Sequence, residues 1–110
     1  MKLLHLKDVP KTTAHDNLIR QRFVAPGDLK SKVQTVNYVE LQPGESYTPH
    51  NHPDCEECFF VIEGEAKAVI AEKTFMFRKG DFLVVEPKEM HVFTNTSQKI
   101  FIYFQFRILV

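Results

Sequence analysis

Four residues in the middle of the chain have the types and spacing needed to hold a metal ion. His50 and His52 lie two apart, so on an extended strand both imidazoles point to the same face and present two nitrogens to one ion. Pro53 and Asp54 then break the strand, after which Glu57 can return on a neighbouring strand with an oxygen ligand. Glu56 beside it offers the same group. His91, beyond further β-rich runs, could complete the set. Spacing alone describes His50 and His52 equally well as a polar loop before a strand. His5 and His15 stand without companions and are assigned no role.

The elements that must position these residues are strands. Short runs rich in Val, Ile, Phe, Tyr and Thr predict strands over 35–41, 59–62, 66–71, 74–77, 82–85, 91–94 and 99–108, with a weaker one around 19–24. Glu63 and Gly64 are expected to close a hairpin, Gly64 supplying the positive φ, and Glu72 with Lys73 a second. The one helix-length candidate is 11–22, where Asp16 could cap a turn, although its apolar spacing is poor. In the last run Ile100, Ile102, Phe104, Phe106 and Ile108 form an apolar row, expected to face the interior. The alternate row, Phe101, Tyr103, Gln105 and Arg107, is then left outside. Its aromatics, with Phe60 and Ile62, suggest a surface covered by a second subunit or by the N-terminal segment, and a homodimer is expected.

The segment GESYTPHNHPDCEECFFVIEG resembles the first motif of the cupin superfamily, with Gly44, His50, His52, Glu57 and Gly64 at the family's separations. Counting back from Gly64 selects Glu57 over Glu56. GDFLVVEPKEMHVFTN resembles the second motif through Gly80, His91 and Asn95, but Pro87 stands one place late and Lys88 occupies the customary Gly. The resemblance implies an all-β, single-domain jelly-roll barrel over 35–110; residues 1–34 lie outside it and are expected to pack on the barrel. It also implies one divalent transition metal (Fe, Mn, Ni, Co, Cu or Zn) held by His50, His52, Glu57 and His91.

Phe59 and Phe93, by alternation from Glu57 and His91, should point into the barrel near the ion, with Ile102 and Phe104 as further lining; all four read equally as ordinary core. A cavity so lined would be apolar, with no evident Arg or Lys to clamp a phosphate, which suits an apolar small molecule. Three His and one Glu would leave adjacent positions on the ion for dioxygen and substrate, so the leading functional expectation is a metal-dependent enzyme of the non-haem oxygenase type. Isomerase or decarboxylase chemistry, a non-catalytic binding or sensing module, and a purely structural barrel stand beside it.

Cys55 and Cys58 lack the second CxxC or the His pair of a zinc knuckle. Alternation turns Cys58 away from the ion, while Cys55 lies between the ligands. Two thiols three apart cannot staple distant parts of the fold. The 110 residues match one ordinary domain, and 14 Lys plus Arg against 14 Asp plus Glu leave no excess charge for nucleic acid. The apolar stretch at residues 1–6 is too short for a signal-peptide core or a membrane span, so a cytoplasmic setting is expected, with a small molecule as partner.

Overall fold

The structure is a computed structural model and describes residues 1–14 and 18–110. Among the described residues a 3-10 turn, Leu6–Asp8, precedes nine strands: β1 (Lys11–Ala14), β2 (Leu18–Val24), β3 (Val33–Leu41), β4 (Cys55–Glu63), β5 (Glu65–Ile70), β6 (Lys73–Arg78), β7 (Phe82–Val85), β8 (His91–Thr94) and β9 (Phe101–Leu109). They form a six-stranded sheet in the order β1-β2-β3-β9-β4-β7 and a three-stranded sheet, β6-β5-β8, antiparallel throughout.

The helix expected over 11–22 is replaced by β1 and β2, paired from Lys11↔Gln21 to Ala14↔Leu18. Thr, Ile, Phe and Val in these runs favour an extended chain once a sheet edge is available, and tertiary pairing overrides a weak helical pattern. The expected Asp16 cap, like His15, lies outside the described residues. Residues 1–34 therefore do more than pack on the barrel: β2 pairs along β3, and the boundary expected at residue 35 falls inside β3. The segment before β1 lies over the outer face of β2, where Gln21 Nε2 donates to the carbonyls of Leu6 (2.8 Å) and Val9 (3.0 Å).

Gly64 does take positive φ, at 82°, but it closes no hairpin. It is the corner at which the chain leaves β4 in one sheet and enters β5 in the other. A Cβ there would lie 2.4 Å from the carbonyl oxygen of Ile100, so backbone crowding as well as φ demands glycine. The β5–β6 turn is Ala71–Glu72, one residue earlier than expected, with Ala71 itself at φ 53°.

The final strand reverses the expected polarity. Phe101, Tyr103 and Gln105 are buried inside, whereas Ile102, Phe104, Phe106 and Ile108 are half-buried on the outer face. There Phe104 meets Phe23 (6.2 Å between ring centroids), Tyr38 (5.8 Å) and Phe106 (6.3 Å). Both faces of β9 are thus largely apolar, and apolarity alone could not choose between them.

The interior at one end is a nest of rings. Phe93 is fully buried and packs against Phe59, Phe77, Phe101 and Tyr103 at centroid distances of 5.0, 5.3, 6.2 and 5.4 Å, mostly edge to face. Leu41, Val61, Ala66 and Ala68 fill the gaps between them.

Candidate metal centre

Beyond the ring nest, the strands carry polar residues inward. His50 and His91 are held opposite each other by a two-way backbone bridge, His91 N–H donating to the His50 carbonyl (3.0 Å) and His50 N–H to that of His91 (3.3 Å). Glu57 arrives from β4 on the same side as Cys55 and Phe59. One ligand atom each from His50, Glu57 and His91 lie within 4.8 Å of one another, and Glu57 and His91 are buried. His52 stands beside this trio, its Nε2 2.8 Å from Glu57 Oε1; His91 Nε2 is 3.2 Å from the same oxygen. The loop carrying His52 is fastened to the β7–β8 turn, where Lys88 N–H donates to the His52 carbonyl (3.0 Å) and Asn51 Nδ2 to that of Lys88 (3.1 Å).

That turn keeps the geometry a glycine would give. Lys88 adopts φ 73°, and Glu89 N–H donates to the Glu86 carbonyl (3.2 Å), so Pro87 and Lys88 sit at the centre of a tight turn that requires positive φ at its second central residue. Asn95, the last residue of the second motif, is a fastener. Its Nδ2 donates to the carbonyls of Leu41 (2.9 Å) and Lys99 (2.8 Å), and its Oδ1 accepts from Ser97.

The donor set fits a metal. Glu57 Oε1 and His91 Nε2 are buried 3.2 Å apart, and the same oxygen lies 2.8 Å from His52 Nε2, so one carboxylate oxygen and two imidazole nitrogens are gathered away from solvent. His91 Nδ1 lies 3.1 Å from the Glu89 carbonyl and His50 Nδ1 3.2 Å from that of Thr48. A proton on each Nδ1 satisfies those carbonyls and leaves Nε2 as the ligand atom, the usual second contact of a metal-binding imidazole. Nitrogen and carboxylate donors of this kind suit a divalent first-row metal.

Sequence reasoning missed the residues that orient Glu57. Arg22 Nε donates to Asn37 Oδ1 (3.1 Å), Asn37 Nδ2 to Gln105 Oε1 (2.7 Å), and Gln105 Nε2 to Glu57 Oε2 (2.9 Å). Thr35 Oγ1 also donates to Gln105 Oε1 (3.1 Å). The chain of donors runs one way and ends on the oxygen of Glu57 turned away from the histidines. A readable signal existed: Thr35, Asn37, Gln105 and Arg107 interrupt two strongly β-forming runs at alternate positions.

The charges respond to this packing. Burial alone would raise the Glu57 carboxyl, but His91, Gln105 and His52 outweigh it and hold it below its ordinary value. Burial alone would lower the His91 imidazole, but Glu57 and the Glu89 carbonyl hold it above. Burial pushes the phenols of Tyr47 and Tyr103 well up, with the Glu57 charge adding to both. Cys55, at the start of β4, is buried with Sγ 3.4 Å from Asp54 Oδ1; burial first, and then Asp54, push its thiol up, which makes it a poor thiolate ligand. Cys58 faces the other side of the strand.

The cavity above these residues measures about 60 Å³ and contradicts the apolar lining expected from the sequence. Phe59 lines it, with Tyr47 and Tyr103, but so do Arg20, Arg22, Asn37, Gln105 and Arg107. Phe93 belongs to the ring nest, while Ile102 and Phe104 lie on the outer face of β9, because the inward row of that strand is the mixed one.

Residues 37–106 match the Cupin domain family. This chain is a cupin. The uncharacterized protein MJ1618 of Methanocaldococcus jannaschii is 26% identical over 86 residues, covering 78% of this cupin and 68% of that protein. Among solved structures, a predicted oxalate decarboxylase from Thermotoga maritima superposes with a TM-score of 0.92 at 16% identity, covering 99% of this chain and 100% of the other. The polyketide cyclase RemF of Streptomyces resistomycificus gives 0.85 at 19% identity, covering 98% and 79%. At such identities the superpositions establish that the cupin fold is shared, and nothing finer. No helix among the described residues is long and apolar enough to cross a membrane.

Proposed function

We propose that this cupin is a metal-dependent enzyme acting on a small molecule, with His50, His52, Glu57 and His91 as the ligands of one divalent transition metal. The observation that carries this reading is the convergence of one ligand atom each from His50, Glu57 and His91 within 4.8 Å, with Glu57 and His91 buried. Four protein ligands leave positions open on a five- or six-coordinate ion, and such an ion supplies Lewis-acid or one-electron chemistry at them.

The chain's own residues do the rest. Gln105 fixes one oxygen of Glu57 so that the other faces the histidines. The Thr48 and Glu89 carbonyls hold the protons of His50 and His91 on Nδ1. Tyr47, packed against His50 at 5.6 Å, and Phe59, against His91 at 5.9 Å, exclude water from the closed side of the site.

An oxygenase of the non-haem type is the first reading. Non-oxidative chemistry, decarboxylation or cyclisation, is the second, favoured by what the Thermotoga and Streptomyces proteins are described as doing. Elemental analysis of untagged protein, followed by oxygen uptake after anaerobic Fe(II) or Mn(II) loading, separates them. Stoichiometric metal with substrate-dependent uptake supports the oxygenase, and turnover without uptake supports the second reading. Full metal occupancy in His52→Ala would sink the ligand assignment.

A homodimer and a cytoplasmic setting complete the proposal. Phe60 pairs with Phe82 and Cys58 with Val84 on the outer face at the β7 edge, and Phe60, Phe82 and Val84 are exposed there. Light scattering that returns the monomer mass at micromolar concentration would remove the dimer.

A further inference from the structure

The metal centre accounts for part of the cavity wall and leaves its arginines unexplained. Arg20 and Arg22 on β2 and Arg107 on β9 line the same space as the histidines, and Glu57 is the one carboxylate among its described lining residues. That carboxylate is already engaged by Gln105 and the histidines. Arg22 Nε donates to Asn37, and Arg20 Nε makes a long bond of 3.4 Å to Thr12 Oγ1 at the rim. Arg107 Nε is buried and has no hydrogen-bond partner among the described residues. Arg22 is held below its ordinary value first by burial, then by the charges of Arg20 and Arg107. A buried donor without an acceptor and like charges converging on a small cavity are each unfavourable, and an anion relieves both.

We propose that this wall binds the carboxylate of a small organic acid, held by Arg20, Arg22 and Arg107, with the rest of the ligand directed toward the metal centre. The planar guanidinium fork matches the two oxygens of a carboxylate. A cavity of about 60 Å³ bordered by both the arginines and the candidate metal ligands is small, which suits a short organic acid rather than a bulky ligand. The inference deepens the metal-enzyme reading and rests on it only for the direction in which the ligand extends.

Calorimetry on the full chain, metal-free and Mn(II)-loaded, tests it with malonate and succinate as probes, inorganic phosphate as a second anion and the neutral diamides as controls. Carboxylate binding is expected in the metal-free protein, roughly tenfold weaker in Arg107→Gln and in Arg22→Gln, and partly restored in Arg107→Lys. Mn(II) affinity, read separately by electron paramagnetic resonance, should be retained in Arg107→Gln. If that variant fails to fold, Arg20→Gln at the rim carries the same test.

Equal carboxylate affinity in wild type and folded Arg variants would overturn the proposal. So would binding of phosphate without carboxylate, or Mn(II) binding with no anion bound, and the last would leave the metal reading standing. Arginine-dependent carboxylate binding in a protein that takes up no Mn(II) would support the anion site and remove the metal reading instead.

Discussion

Two halves of the barrel interior are built from the same strands and have opposite chemistry. In one half Leu41 pairs with Phe101, and Val39 with Tyr103, which pairs in turn with Val61. In the other, Asn37 pairs with Gln105, while Thr35 and Glu57 both pair with Arg107. Each strand therefore keeps the same face inward along its length and changes polarity partway. The aromatic half holds the sheets together by area and ring geometry, whereas the polar half is held by a continuous set of hydrogen bonds that gathers buried ligand atoms beside a guanidinium nitrogen with no acceptor among the described residues. Stability and reactivity have been separated along the barrel axis, so each can be perturbed with the other as control.

The largest effect is expected from Phe93→Ala, which opens a cavity at the centre of the ring nest and should cost about 3–5 kcal/mol in urea unfolding. Metal stoichiometry measured on the folded fraction should survive it; a variant that loses metal before it loses fold would mean that the halves are not separable.

Gln105→Ala probes the other half. It strips an acceptor from Thr35 and Asn37 and a donor from Glu57, and should cost about 2 kcal/mol while weakening metal binding, because the carboxylate is no longer oriented. Unchanged metal affinity in that variant would show that Glu57 is positioned by the histidines alone.

Lys88→Gly, outside both halves, should stabilise by about 1 kcal/mol by relieving the left-handed backbone of the β7–β8 turn, with no change in metal affinity; thermal denaturation reads it directly.

The smallest expected effect is the pH response of the metal-free protein. Glu57 is depressed, so its contribution is present above the ordinary carboxylate value and is lost as pH falls through the lowered one. His91 is raised, so its contribution is present below the ordinary imidazole value and is lost as pH rises through the raised one. Urea midpoints should fall on both sides of that window. Bound metal should reverse the loss on the alkaline side, since protons no longer compete for His91. A metal-free protein with midpoints flat from pH 4 to 9 would argue against a coupled Glu57–His91 pair, a pH range chosen to bracket, roughly, ordinary carboxylate and imidazole values.

Much of the ligand side was legible because it is local. His50 and His52 lie outside the named strands, yet two residues apart they bring their rings to 5.2 Å, and the turn with positive φ before His91 kept its shape even with Lys88 in place of glycine. The strand pattern was equally readable from β3 onward, since β-branched and aromatic residues cluster there between turn formers. The anion wall was not legible. Asn37 meets Gln105 across a sequence separation of 68 residues and Arg22 meets Asn37 across 15, and nothing in the run 18–24 marks Arg20 and Arg22 as inward-facing until β2 is paired with β3.

The sequence by itself determined the fold class, the two motifs and the alternation within each strand, because these depend on residues a few positions apart. Only the tertiary structure decided which row of β9 turns inward. Alternation defines two faces but not which of them is covered when both are rich in apolar side chains, and the choice falls to the sum of contacts that β9 makes with β3 and β4 on either side. With that choice Gln105 and Arg107 entered the barrel, and the cavity changed from apolar to cationic.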